Sequence, residues 1–207
     1  MKKNNKPQKI RTIRIDKILI AAQDEFILQG YKGATVQSIA DNAGLPKANV
    51  LYYFKSKENI YHAVLEQTLN MWDEGIGDIL AEDGPKLAIE KFIRAKVTMS
   101  FKNPKASKIY AMEIIQGAQH LKDFARTYLR QWVRDKSKVF QCWIDNGEMH
   151  QVDPVNLILL IWSSTQHYAD FDNQILTIMN RAEYEDEDIE HVTEFLTDFI
   201  LRGCGIK

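Results

Sequence analysis

Thr35 to Lys57 read TVQSIADNAGLPKANVLYYFKSK, and this stretch decides the fold. Thr35 can accept from the free N–H groups of a first helical turn, so a helix starts there. Val36, Ile39, Ala40 and Ala43 share one face of it. Gly44 stops it, because glycine enters a left-handed conformation at little cost. Pro46 starts a second helix, where its missing N–H is not needed. Val50, Leu51 and Phe54 form the apolar side of that helix. A small residue at the crossing (Ala40), a turn glycine (Gly44) and a β-branched seat (Val50) have the spacing of a helix-turn-helix. Its second helix is the kind placed in a DNA major groove.

Working outward, the polar side of the second helix offers Lys47, Asn49, Tyr52 and Tyr53, with Lys55 and Lys57 beyond. Lys and Asn reach base edges, whereas Tyr hydroxyls and ammonium groups suit phosphate oxygens. Ser56 caps a further helix whose free N–H groups can face a phosphate. Charge agrees with this reading. Residues 1–60 hold eleven Lys and Arg against five Asp and Glu, a net +6, and the remainder carries −7. A basic third faces a polyanion and an acidic remainder faces water.

The 207 residues, 45% hydrophobic, are enough for a real core. Cys142 and Cys204 sit in no paired motif, which fits a reducing cytoplasm. No apolar run approaches the ~20 residues of a membrane span, and no signal peptide is read. Met1 to Arg11 (MKKNNKPQKIR) is expected to be a disordered basic arm. The first helix is expected from near Thr12 to Gln29, on Ile15, Leu19, Ala22 and Phe26, and Gly30 ends it. The helix after Ser56 carries Ile60, Tyr61, Val64, Leu65, Leu69 and Trp72 out of the head. Five more follow: Pro85 to Phe101, one from Pro104, Lys122 to Asn146, one capped by Asp153, and Glu187 to Leu201. The expectation is an all-α chain of about nine helices. A helix-turn-helix DNA-binding head (12–72) stands on a larger C-terminal helical body for ligand binding and dimerisation (73–207).

The eighth helix contains VNLILLIWSSTQHYADF, Val155 to Phe171. Leu157 to Trp162 is apolar on every face, so burial all round is expected. Ser163, Ser164, Thr165, Gln166, His167 and Asp170 follow, and buried polar groups need partners, since an unpaired one costs about 1–3 kcal/mol. Trp162 and Gln166 are four apart and share a face. A ring beside an amide suits a planar, amide-bearing ligand; a core Trp with a backbone-bonded Gln is the plain alternative. His167 and Asp170 could share a metal, but the five histidines form no HxxxH or HExxH pair, and no metal or cofactor is expected. Neither a glycine-rich phosphate loop nor a GxSxG nucleophile motif is present, so the chain reads as no enzyme.

IDKILIAAQDEFILQGY, TVQSIADNAG and NVLYYFKSKENIY resemble the TetR family of bacterial repressors. LYYFKSKENIYHAVL, NPKASKIYAMEIIQGA and LILLIWSSTQHYADF resemble its RutR branch, the pyrimidine-utilisation regulators. The resemblance implies a homodimer with two heads, paired through the eighth and ninth helices. It implies that Lys47, Ala48 and Asn49 read bases and that Tyr52, Tyr53 and Lys57 hold phosphates; Thr35 is set beside them as a DNA-contacting candidate. It implies uracil or thymine as effector, with Trp162, Gln166 and Tyr168 carried over as ligand contacts. Pro46 and Ala48 depart from the family's usual hydroxyl and small residues, and Leu121 to Asp145 is less recognisable.

The expected protein is a repressor that binds double-stranded operator DNA, with ligand favouring a head spacing that misses successive major grooves. The rivals are a regulator answering an unrelated small molecule, a ligand-independent DNA-binding protein, and an enzymatic body with a DNA-binding appendage.

Overall fold

The computed structural model describes residues 6–76 and 79–206, and throughout them the fold is helical with no strand. Helix α1 spans Lys6–Gly33, α2 Val36–Asn42, α3 Lys47–Phe54 and α4 Lys57–Ile76. The expected arm divides. Met1 to Asn5 lie outside the described residues, while residues 6–11 form the opening turns of α1, six residues before the expected start. Gly30 breaks α1 as expected, with φ 67 and ψ 169.

The local signals of the head act as read. The Thr35 hydroxyl accepts from the Ser38 N–H at 3.0 Å, and Ser38 closes the reciprocal capping box. Gly44 takes φ 64, and the Leu45 N–H donates to the Ala40 carbonyl at 3.0 Å, satisfying an end carbonyl of α2. Pro46 is the residue before the first helical position of α3 rather than that position itself; its carbonyl accepts from Asn49. Ser56 accepts from the Asn59 N–H at 3.1 Å and caps α4. Ile18, Ala22 and Phe26 of α1 bury against Ile39, Ala40, Val50 and Ile60. Ile109 and Leu121 of the body join the same core, so head and body are packed together rather than tethered.

The body contains α5 (Pro85–Lys102), α6 (Pro104–Ile115), a short α7 (Lys122–Phe124) running through a π-helical turn (Ala125–Leu129) into α8 (Arg130–Asp145), α9 (Pro154–Asp170), α10 (Asp172–Met179) and α11 (Asp186–Gly203). Phe92, Ile93 and Val97 of α5 form its centre, against Phe140 and Trp143 of α8, Ile158 and Ile161 of α9, and Val192 and Leu196 of α11. Three expectations are corrected. The helix expected over Lys122 to Asn146 contains the π turn. Helix α10 was not anticipated, because the backbone turns at Phe171 (φ −121, ψ 32), where no glycine or proline marks a break. And α9 is not buried all round: Leu159 and Leu160 are each 48% exposed.

No helix among the described residues is long and apolar enough to cross a membrane.

Candidate functional site

Helix α3 presents Lys47, Ala48 and Tyr52 outward, Tyr52 with 70% exposure. Asn49 is half-buried, and Tyr53 packs against the head core. Lys55 leaves α3 with φ 68, which lets its ammonium sit 5.5 Å from the Tyr52 ring centre. The outward face is therefore aromatic and cationic at one end, suited to phosphate, with Lys47 and Ala48 at the helix start.

Lys57 takes a different place from the one expected. Its Nζ donates to the carbonyls of Tyr31 (2.7 Å) and Ala34 (2.9 Å), reaches Lys32 at 3.4 Å, and lies over the Tyr31 ring. These carbonyls belong to the end of α1 and the start of the turn into α2. The cation closes that corner of the head. Lys57→Ala is expected to lower stability by about 2 kcal/mol, within the range for hydrogen bonds to a charged donor. It should leave the salt dependence of DNA binding unchanged. Unchanged stability with a salt slope reduced by about one would return Lys57 to the phosphates. Thr35 is exposed, but its hydroxyl is held in its own capping box.

A cavity of about 290 Å³ lies in the body. Trp162 and Gln166 of α9 open onto it together, as their spacing predicts. Leu69, Trp72 and Asp73 of α4 form the opposite wall. Tyr110 comes from α6, Trp132 from α8, and Phe124, Tyr128 and Leu129 from the segment of the π turn. Trp132 and Trp162 stand 5.7 Å apart, centre to centre, and Trp72 meets Tyr110 edge-on at 4.7 Å. The Tyr128 hydroxyl donates to the Asp73 carboxylate, tying the π turn to α4. Such turns are frequent at functional sites, because the extra residue redirects side chains. The volume is at the lower end of small-molecule sites, roughly 300–1,000 Å³. A second cavity of about 440 Å³ shares Leu69, Asp73, Phe124 and Tyr128 and continues toward His62 and His120.

Tyr168 is not brought to this cavity. It packs against Phe101, and its carbonyl accepts from the Tyr184 hydroxyl. The other polar residues of α9 find partners within the protein. Ser164 and Thr165 donate to the carbonyls of Leu160 and Ile161, and Asp170 accepts from Ser107 at 2.6 Å. His167 lies against the Phe171 ring, and the described residues contain no group of three His, Cys, Asp or Glu placed to hold a metal ion. Trp72, Tyr110 and Trp132 read from sequence as core residues only. Lys96 was missed altogether, although a lysine three and four residues after Ile93 and Phe92 on a buried stripe is a legible signal.

Head and body meet at a second polar cluster. Glu113 of α6, 3% exposed, accepts from the Tyr61 hydroxyl of α4 (3.0 Å) and the His120 N–H (2.7 Å). The His120 ring lies 4.7 Å from Tyr31 and 5.0 Å from Tyr61. Burial first, and then the charge of Glu113, push the Tyr61 hydroxyl well above the usual tyrosine range.

A head that exposes a recognition helix, joined through one continuous helix to a body with an aromatic cavity, defines a helix-turn-helix regulator. Residues 18–64 match the family described as bacterial regulatory proteins, tetR family, and residues 65–207 match YcdC-like protein, C-terminal region. The HTH-type transcriptional regulator RutR of Escherichia coli (strain K12) is 36% identical over 186 residues, covering 90% of this chain and 88% of that protein. In fold, the chain is similar to the ketosteroid transcriptional regulator KstR2 of Mycobacterium tuberculosis (TM-score 0.74, 19% identity, 92% of this chain and 94% of that one). It is also similar to AibR in complex with isovaleryl coenzyme A and operator DNA (TM-score 0.68, 15% identity, 90% and 97%). The chain belongs to the TetR family of DNA-binding transcriptional regulators and is RutR-like.

Proposed function

We propose that this protein is a homodimeric repressor released from its operator when uracil or thymine enters the cavity between α4 and α9. One observation carries the reading. Trp162 and Gln166 open onto a single cavity whose far wall is α4, the helix that begins directly after the recognition helix. Uracil has two carbonyl acceptors and two N–H donors. The Gln166 amide answers both kinds, and Trp162, with Trp132 near it, supplies a stacking face. The resemblance to the pyrimidine-utilisation branch supports the same ligand class.

Lys47, Ala48 and Asn49 face the bases, and Tyr52, Tyr53 and Lys55 take phosphates. Ligand packed against Trp72 and Leu69 shifts α4 and with it the head. The two recognition helices then no longer sit one helical turn of DNA apart, roughly 34–36 Å. The dimer forms through α9 and α11. Both pack on α5, and each turns an apolar strip outward: Leu159 and Leu160 on one, Phe195 and Phe199 on the other. Paired apolar strips on a folded body are the mark of an interface with a second copy.

The test is binding to the upstream intergenic DNA of its own gene, titrated with uracil and thymine at fixed salt. Both should release the DNA. Gln166→Ala is expected to weaken that response about tenfold, the equivalent of one hydrogen bond or two, with operator affinity unchanged. Tight binding that ignores both pyrimidines would transfer the cavity to another small polar ligand. A Gln166→Ala protein with the wild-type response would remove the amide from the site.

A further inference from the structure

The pyrimidine reading leaves one group of the cavity without a role. Lys96 of α5 opens onto it between the aromatic walls, and only 4% of the residue is exposed. Its Nζ lies 4.9 Å from the centre of the Trp72 ring. Among the described residues no hydrogen bond or ion pair reaches that nitrogen. The ionisable groups around it come from four directions: Asp170 on α9, Asp73 on α4, Tyr110 on α6 and Tyr128 on the π turn. Both carboxylates already have donors, Asp170 from the Ser107 hydroxyl and Asp73 from Tyr128. A charge this deep is costly unless paired, and the face of one indole offsets only part of that cost. The missing partner is an acceptor, and the open side of Lys96 is the cavity.

We propose that Lys96 is the charge anchor of the effector site and makes it select planar, carbonyl-rich rings that carry a negative charge, of the acidic cyclic imide class, over amine-bearing rings. The inference rests on the cavity being the effector site. Trp72, Trp132 and Trp162 take the ring faces, Gln166 pairs with one amide edge, and Lys96 meets the charged oxygen. Burial lowers the Lys96 ammonium to about 8, against the opposing pull of Asp170, so the lysine remains mostly cationic at neutral pH.

The three tryptophans in the wall make quenching of intrinsic fluorescence a direct readout on the full-length protein. The probes are uracil, barbiturate as the acidic imide, and cytosine as the amine-bearing ring, each titrated at pH 7. Barbiturate is expected to bind at least tenfold more tightly than uracil, and cytosine at least tenfold more weakly. Lys96→Met, with helicity checked by circular dichroism, should erase the preference of barbiturate over uracil. A second measurement needs no variant. Barbiturate stays ionised while Lys96 loses its proton, so its affinity for the unaltered protein should fall about tenfold or more between pH 7 and pH 9.5. Binding of barbiturate without uracil would support the anchor and move the effector from neutral pyrimidinediones to acidic imides. Uracil binding with no preference for barbiturate, or a Lys96→Met protein that keeps that preference, would overturn the anchor and leave the pyrimidine reading standing. Failure of all three rings to bind would overturn both.

Discussion

Replacing Phe195 and Phe199 together by glutamate is expected to leave each protomer folded and to separate the dimer. The two rings stack on each other at 6.2 Å on the outer face of α11, with 59% and 65% exposure, while Val192, Leu196 and Ile200 of the same helix fill the core. The protomer therefore loses little by the change. A paired interface would instead have to bury four new carboxylates against apolar surface. Neither desolvation nor like-charge repulsion would be compensated there. A lone head meets only one half-site, so operator affinity should fall toward the non-specific level, roughly 10³-fold. Sedimentation velocity and fluorescence anisotropy on labelled operator read the two effects separately. A variant that sediments as a dimer would place the interface on another surface. A monomer with undiminished operator affinity would show that one head suffices.

Glu113→Ala is expected to give the largest loss of stability of the single substitutions, about 2–5 kcal/mol, because it strands two buried donors at about 1–3 kcal/mol each. Tyr61 loses the acceptor of its hydroxyl, and His120 loses the acceptor of its backbone N–H. For a chain of this size that is a fall in Tm of roughly 10 °C. Tyr61→Phe removes one partner cleanly, and the double variant should cost less than the two single losses added, since both act on one contact. Additive losses would mean that Tyr61 and Glu113 do not stabilise each other. Glu113 lies on α6, Tyr61 on α4 and His120 between α6 and α7, four residues before Phe124 of the cavity wall. Loosening this junction should therefore also weaken the effect of ligand on operator binding in whatever protein remains folded.

The elements of the head were legible because their signals are local. A Thr cap bonds within four residues, a glycine turn depends on its own φ, and a proline restricts its own backbone. The same reasoning placed Trp162 and Gln166 on one side of a helix, and the cavity has both. It failed at Phe171, where a turn occurs without a turn residue, and at the π turn, where the helical pattern continues through an altered hydrogen-bond register. Hydropathy also cannot tell a strip that faces the core from one that is left exposed. Leu159 and Leu160 are as apolar as Ile158 and Ile161, although they point the other way.

The chain's own residues determined the helix-turn-helix, the order of the long helices, the basic head and the family, all of which rest on spacing, capping and charge along one strand of sequence. Three placements were decided only in the folded protein. Lys57 sits on the carbonyls at the end of α1, because those acceptors lie more than twenty residues away in the chain and arrive beside it only when α1 packs on α4. Tyr168 packs against Phe101 and meets Tyr184 away from the cavity, because two helical positions beyond Gln166 already face a different neighbour. Lys96 lines the cavity, because a buried cation takes its meaning from what five other segments place around it, and those distances are set by packing.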